Sequence, residues 1–384
     1  MTATGQALES NARPIYLDHN ATTPIAVEVA QAMWPYVAEH FGNPSSTHHY
    51  GRVAKVAVDH AREQVAALIG ARPLEIIFTS GGTEANNLAI RGTVGLATER
   101  VAVTTAVEHP ATTAPLALLA AAGWTVHRLP VDADGRASAG DVPAGPIDLG
   151  SVILAQNEVG TIQPVRAIAD AIHRAGGIVH TDAAQAVGKI PVDVDDLSVD
   201  LLSIAGHKLY APKGVGALYV RGGTPIGPLL VGAGQESGRR PGTENVPGIV
   251  ALGAACELAA GLLLSEPCRQ LALRELLWAT LSSLIPGLVR ISPAAEALPN
   301  TLTIAVPGRV GADLLDATSQ IAASTGSACH AGIHTPAATL LAMGIPAETA
   351  IQALRLSVGR STTTQGVREA AAFLAQAVTL TQPA

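Results

Sequence analysis

The sequence predicts an α/β fold, with a large domain on a mainly parallel, mixed sheet and a smaller α+β domain after it. Three observations carry this. Short, nearly continuous apolar runs alternate with amphipathic segments along the first part of the chain, the pattern of strands buried on both faces between crossover helices. Apolar residues make up 48% of the 384 residues, and charged residues only 14%, well under the usual quarter or so. Past residue 221 the alternation ends, and a loop rich in Gly, Arg and Glu leads into strands mixed with helices.

The strands are read at 75–79, 100–104, 124–129, 151–155, 177–181, 201–205 and 215–220, with helices between them at 86–96, 111–122 and 164–175. The loop spans 232–247. A long helical region runs from 246 to about 284, followed by short strands at 301–306, 321–323 and 354–358 and a last helix at 365–380. The expected division is an N-terminal segment, 1–15, that joins the small domain, a large domain over 16–264, and a C-terminal domain over 265–384. No repeat or low-complexity tract interrupts it.

Composition narrows the function. Net charge is −7, from 24 basic and 31 acidic residues, which disfavours a partner held by phosphate neutralisation, so no nucleic acid is expected. The three cysteines, Cys256, Cys268 and Cys329, are too few for a disulfide framework. The first residues show no signal-peptide pattern. The most apolar stretch, 248–264, is shorter than a membrane span and carries Glu257. The expectation is a cytoplasmic protein with reduced thiols and no membrane partner. His48, His49 and His60 fit no strong ligand spacing, so no metal is expected.

In open α/β sheets the cleft lies beyond the carboxyl ends of the strands, and three segments fall there. T-S-G-G-T-E-A-N-N, 79–87, turns a strand into a helix. It is either an anion cradle of backbone N–H groups with the Thr83 hydroxyl, or an ordinary turn with Thr83 as N-cap. H-T-D-A-A-Q, 180–185, puts Asp182 at a strand end. In G-H-K, 206–208, Lys208 follows an apolar strand, where burial lowers an amine's pKa and suits it to Schiff-base chemistry. Each feature alone has a plain structural reading. Together a carboxylate, an amine and a phosphate cradle are the three handles that pyridoxal phosphate needs.

With these stand Y-L-D-H-N-A-T-T-P (16–24), N-P-S-S (43–46), E-H-P (108–110), N-E-V-G-T-I-Q-P (157–164), G-Q-E-S-G-R-R-P-G-T-E-N (234–245), T-G-S-A-C (325–329) and R-L-S-V-G-R-S-T-T (355–363). In this order, over nearly the whole chain, they resemble the cysteine desulfurases, class V members of the aminotransferase-like pyridoxal-phosphate enzymes, with the selenocysteine lyases as close kin. The resemblance implies fold type I of these transferases and a homodimer. It implies that Lys208 binds the cofactor's aldehyde, that Asp182 pairs with the ring nitrogen, and that His109 stacks on the ring and moves protons. It places Asn157 and Gln185 near the phenolate oxygen, and Gly82, Thr83, Ser203 and His207 on the phosphate. Thr243 is expected to reach the phosphate in the partner subunit. Asn20 and Arg355 are expected to hold the substrate carboxylate. Cys329, in a small-residue segment, is the expected nucleophile that takes sulfur from L-cysteine as a persulfide, leaving alanine; Cys256 reads as core and Cys268 as a surface thiol. The acceptor would be a protein such as an iron–sulfur scaffold or a thiolation relay. The alternatives are a lyase acting on L-selenocysteine and, from another class, a non-catalytic sulfur-delivery partner. The sequence departs from the pattern at His19, Gln156, Ala205 and Ala211 and in the run after Cys329; at 205 many desulfurases carry a phosphate-binding Ser.

Overall fold

A computed structural model describes residues 13–325, 329–330 and 333–380. In chain order the strands are β1 Ile15–Tyr16, β2 Ile76–Thr79, β3 Val101–Thr105, β4 Thr125–Leu129, β5 Leu149–Ile153, β6 Ile178–Asp182, β7 Leu201–Ala205, β8 Gly216–Val220, β9 Val289–Arg290, β10 Thr301–Ala305, β11 Ile321–Ala322, β12 Cys329–His330, β13 Ile333–His334 and β14 Ala353–Ser357. Seven of them, in the order β2-β8-β7-β6-β5-β3-β4, make the central sheet. Only β8 runs against the others. Strands β5, β7 and β8 are buried along their whole length, which is why they read as unbroken apolar runs rather than alternating ones.

The helices around this sheet are α1 Val27–Ala38, α2 His49–Leu68, α3 Gly82–Gly92, α4 Pro110–Ala121, α5 Val165–Arg174 and α6 Val246–Leu262; α7 Glu266–Leu284 follows α6 but packs on the C-terminal part through Leu273, Leu277 and Leu281. Helix α3 follows β2 directly, and α4 follows β3 through a four-residue turn, so both helices begin at the carboxyl edge of the sheet. The single helical region expected over 246–284 is in fact two helices at 76°. Pro267 explains the break. Its ring lacks an N–H and would clash with the carbonyl four residues earlier, whereas in the first turn of a new helix it is well accommodated. No single described helix is long and apolar enough to cross a membrane.

The C-terminal part adds α8 Gly311–Asp316, α9 Ala338–Ala342, α10 Ala347–Ala350 and α11 Thr364–Leu380. Its three-stranded antiparallel sheet, β14-β10-β9, has a core of its own built from Leu277, Leu281, Leu302, Leu354, Leu356 and Leu374. Leu17 belongs to that core, and β1 pairs in parallel with β11. The chain therefore starts its described course on the C-terminal unit, crosses the cavity rim at Asn20 and Ala21, and then enters the large sheet.

Candidate active site

Five strand ends converge on one cavity of about 400 Å³. Gly82 and Thr83 come after β2, His109 after β3, Ile153 closes β5, Asp182 closes β6 and Ala205 closes β7. Asn20, Ala21, Asn157, Gln185, His207, Lys208 and Arg355 complete the wall. Of the residues singled out in the sequence, Gly82, Thr83, His109, Asn157, Asp182, Gln185, His207, Lys208, Asn20 and Arg355 thus meet in one place. The parallel sheet brings them together, because each crossover delivers its turn to the same edge.

Asp182 is buried at the floor. Its Oδ2 accepts from Asn86 Nδ2 at 2.7 Å, and its Oδ1 accepts from the Ala184 N–H at 3.0 Å. Asn86, in the first turns of α3, is thus part of the site; the sequence motif contains it, but only the fold shows that it turns inward. Lys208 lies in a 3₁₀ turn just after β7, and its Nζ donates to the main-chain carbonyls of Asn20 and Ala21, the latter at 2.8 Å. Burial is the main cause that lowers its pKa from 10.5 to about 8, with the nearby Arg355 guanidinium acting in the same direction. We therefore expect the Lys208 amine of the cofactor-free protein to react with an amine-directed aldehyde about tenfold faster per pH unit up to about 8, and to level off above it. A pH–rate series that levels off only near 10.5, the ordinary value, would contradict this. The same shift has a sign for stability. Between 8 and 10.5 the unfolded chain holds a proton that the folded one has lost, so this group's contribution to stability rises with pH there.

His109 caps α4, with its Nδ1 accepting the Ala111 N–H at 3.0 Å, so the ring proton sits on Nε2. Burial lowers its pKa. Burial and the neighbouring Lys208 lower that of His207 to about 4, leaving that ring neutral near pH 7. Thr83 makes no capping bond; the cap of α3 is Gly81, whose φ of 150° favours glycine, and the first turn, whose N–H groups have no partner within the helix, lines the cavity at Gly82 and Thr83. An ideal Cβ on Gly82 would come within 3.2 Å of the Ala205 Cβ, so both small residues keep this corner open.

Two sequence expectations are revised. Ser203 does not reach the cavity. It lies two residues inside the end of β7, about 7 Å deeper along the strand, and its fully buried Oγ is 2.9 Å from His180 Nε2. Ala205 occupies the strand end instead. The Asn20 side chain has no donor to spare for a carboxylate: its Nδ2 gives to Thr301 Oγ1 at 2.8 Å and Asn157 O at 3.2 Å, and its Oδ1 accepts from Asn300 and Lys189. It is a strut that ties the N-terminal crossing to the C-terminal unit.

Arg355 remains suited to a carboxylate. Its Nη2 donates to Asp18 Oδ1 at 2.7 Å and its Nη1 to Asn157 O at 3.1 Å, which fixes the plane of the guanidinium, while the buried Nε has no partner among the described residues. Asn157 Oδ1 is likewise buried and unpartnered. Such orphaned polar atoms on the wall of a cavity suit a polar guest. Asp18, which orients Arg355, escaped the sequence reading because the pair is separated by 337 positions. Glu108, next to His109, is buried too; its Oε1 accepts from Thr105 Oγ1 and the Ile153 N–H, and burial raises its pKa to about 8.

Thr243 lies away from this cavity, exposed on the loop before α6. That loop is pinned at Glu236, whose carboxylate takes two bonds from Arg62 and one from the Phe78 N–H, holding a backbone with φ of 46° at Glu236 and 56° at Ser237. Cys256 is fully buried in α6 and burial raises its pKa; Cys268 is exposed. The backbone of Cys329 lies in β12, paired antiparallel with β13; its side chain lies outside the described part of the molecule. Among the described residues, no group of three or more His, Cys, Asp or Glu is arranged to hold a metal ion.

The profile of the family described as Aminotransferase class-V matches residues 15–369. A cysteine desulfurase of Trichormus azollae is 44% identical over 355 residues, covering 91% of this chain and 89% of that protein. The cysteine desulfurase NifS of Azotobacter vinelandii is 42% identical over 360 residues, covering 92% and 90%. Among solved structures, a NifS-like protein superposes with a TM-score of 0.89 at 34% identity over 96% of this chain and all of the other. A structure titled SspA in complex with cysteine gives a TM-score of 0.79 at 34% identity, covering 89% and 98%.

Proposed function

Because the chain belongs to the class V aminotransferase family, and within it to the cysteine desulfurases, we propose a division of labour among the residues that surround its cavity. The activity is pyridoxal-phosphate-dependent desulfuration of L-cysteine. The observation that supports the roles is that a buried carboxylate, an amine with a lowered pKa, a helix N-terminus and a clamped guanidinium share one wall.

Asp182, held by Asn86, would face the ring nitrogen; Lys208 is the amine for the aldehyde; Gly82, Thr83 and His207 line the phosphate end, with Ala205 contributing space rather than a hydroxyl. Gln185 and Asn157 are proposed to stand on the side of the ring oxygen. When bound, pyridoxal phosphate supplies an electron sink for the pair left at Cα of the amino acid. Arg355 orients the substrate by its carboxylate and so presents Cα to Lys208, which takes and returns the proton there. His109, neutral and with its proton on Nε2, covers the ring face and can pass that proton to the leaving product. The Cys329 thiolate attacks the substrate sulfur: the Cβ–S bond breaks, a sulfur–sulfur bond forms on the enzyme, and the electron pair kept by Cβ is protonated to give alanine.

A homodimer is proposed as well; what supports it is that Thr243 stands on an exposed loop beside a hollow of about 890 Å³ lined by Arg62, Glu63, Gln235, Glu236, Arg239 and Glu244, on a different surface from the cavity of its own chain. The sulfur acceptor is proposed to be a protein, of the iron–sulfur scaffold or thiolation-relay kind. Residues 265–384 are proposed as a separate small domain, on the strength of their own core.

Arg355→Lys keeps the charge but loses the planar fork. It is expected to raise the KM for L-cysteine about 10- to 100-fold, with a smaller change in kcat, measured by alanine formation. An unchanged KM would remove Arg355 from substrate binding.

A further inference from the structure

We propose that Lys189 is a positioning residue that sets which end of the Gln185 amide faces the cavity. Lys189 is buried just behind the wall, on the turn after β6 that also carries Gln185. It does not line the cavity. Its Nζ donates to Gln185 Oε1 at 2.6 Å and to Asn20 Oδ1 at 3.1 Å. A lysine presents hydrogens to its neighbours, so the atoms it meets must be acceptors. An amide is planar, and fixing its oxygen against Lys189 turns its nitrogen the other way. One Gln185 N–H then goes to the Asn20 carbonyl at 2.9 Å, the same carbonyl that accepts from Lys208. The second N–H is left for a guest in the cavity.

Asn20 is fixed by the same amine. Its Oδ1 is shared between Lys189 and Asn300, which sends its Nδ2 to Thr301 and to Asn157 O. One buried group thus orients two amides beside the lysine that holds the cofactor. Burial, with Lys208 and Arg355 nearby, pushes the pKa of Lys189 down, and both oxygens within its reach accept from it.

Resting on the reading that Gln185 stands by the ring oxygen, this gives that oxygen a donor and keeps an amide oxygen away from it. The test is the absorption spectrum of the cofactor-loaded protein at one fixed pH. Lys189→Met removes the donor and keeps the length, leaving Gln185 free to turn. The ratio of the yellow to the near-ultraviolet band is expected to change about tenfold, the size of one hydrogen bond to a charged group. Gln185→Leu is expected to shift it in the same direction, and the double variant no further than Gln185→Leu alone. Gln185→Glu leaves Lys189 untouched and puts oxygen at both ends; it should shift the ratio as Lys189→Met does, and gives a reading if that variant does not fold. A wild-type ratio in Lys189→Met or in Gln185→Glu, or shifts that add in the double variant, would overturn the positioning role while the yellow colour still upheld the cofactor reading. A colourless wild-type protein after loading would overturn both.

Discussion

Replacing Lys208 with alanine is expected to lower alanine formation from L-cysteine by at least about 10⁴-fold, because the residue is proposed to serve both as the anchor of the cofactor and as the base at Cα. Its surroundings support that proposal. It is one of two lysines near the cavity, and the other, Lys189, is turned away behind Gln185 and Asn20. Lys208 alone reaches the cavity, where burial and Arg355 lower its pKa to about 8. An amine with the ordinary value of 10.5 would be neutral in only about one molecule in a thousand at pH 7.5; at 8, about one in four is ready to react. The variant should fold, since the bonds it loses are to two main-chain carbonyls on the cavity wall, and the Asn20 carbonyl keeps its bond from Gln185 at 2.9 Å. Pyridoxal phosphate added to it should be removable by dialysis, whereas the wild type should retain it. Turnover within tenfold of the wild type would end the assignment.

The distribution of these groups also shows what a sequence can reveal. The large sheet was readable strand by strand, because parallel strands buried on both faces are apolar along their length, as β5 and β7 are. Helices α1 and α2 were not: on α1 only Val29 is buried while Val27, Trp34 and Val37 lie on the surface, and the buried stripe of α2, Ala54, Ala57, Val58, Ala61, Val65 and Leu68, is rich in alanine and so offers little apolar contrast. The break between α6 and α7 coincides with the domain boundary expected at 264/265, but the apolar helical pattern runs up to Leu264 and resumes at Leu271, so the stretch reads as one helical region around Pro267. At the site, groups that sit at strand ends or in turns were legible, since their position follows from the strands. Those that act from elsewhere were not. Asp18 holds Arg355 across 337 positions, and Lys189 acts on Asn20 across 169. Ser203 was placed on the phosphate although only strand ends face the cleft; a side chain two residues back is under the sheet's cover, where it meets His180.

Cys329→Ala is expected to cost about 10³-fold or more in alanine formation from L-cysteine while leaving the protein yellow. The geometry that supports this lies in the neighbouring backbone. Ser324 is paired with Arg355, the Ser324 N–H donating to the Arg355 carbonyl at 3.3 Å and the Arg355 N–H to the Ser324 carbonyl at 2.6 Å. Cys329 follows five residues later, and five residues span at most roughly 18 Å when extended. Cys329 is therefore tethered by at most roughly 18 Å of chain to the backbone partner of Arg355, the residue proposed to hold the substrate carboxylate. Cys256 cannot substitute, being fully buried in α6 with its thiol pKa raised by burial. Cys268 is exposed at the start of α7 and lines no part of the cavity. Measuring the variant with L-selenocysteine beside L-cysteine separates two chemistries. A selenolate leaves far more readily than a thiolate, so loss of the attacking thiol should suppress the cysteine reaction and spare much of the selenocysteine one. Loss of both with the colour retained would make Cys329 necessary for binding or closure rather than for sulfur abstraction alone. Normal L-cysteine turnover in Cys329→Ala would show that the sulfur leaves without it, and the persulfide would have to be sought elsewhere.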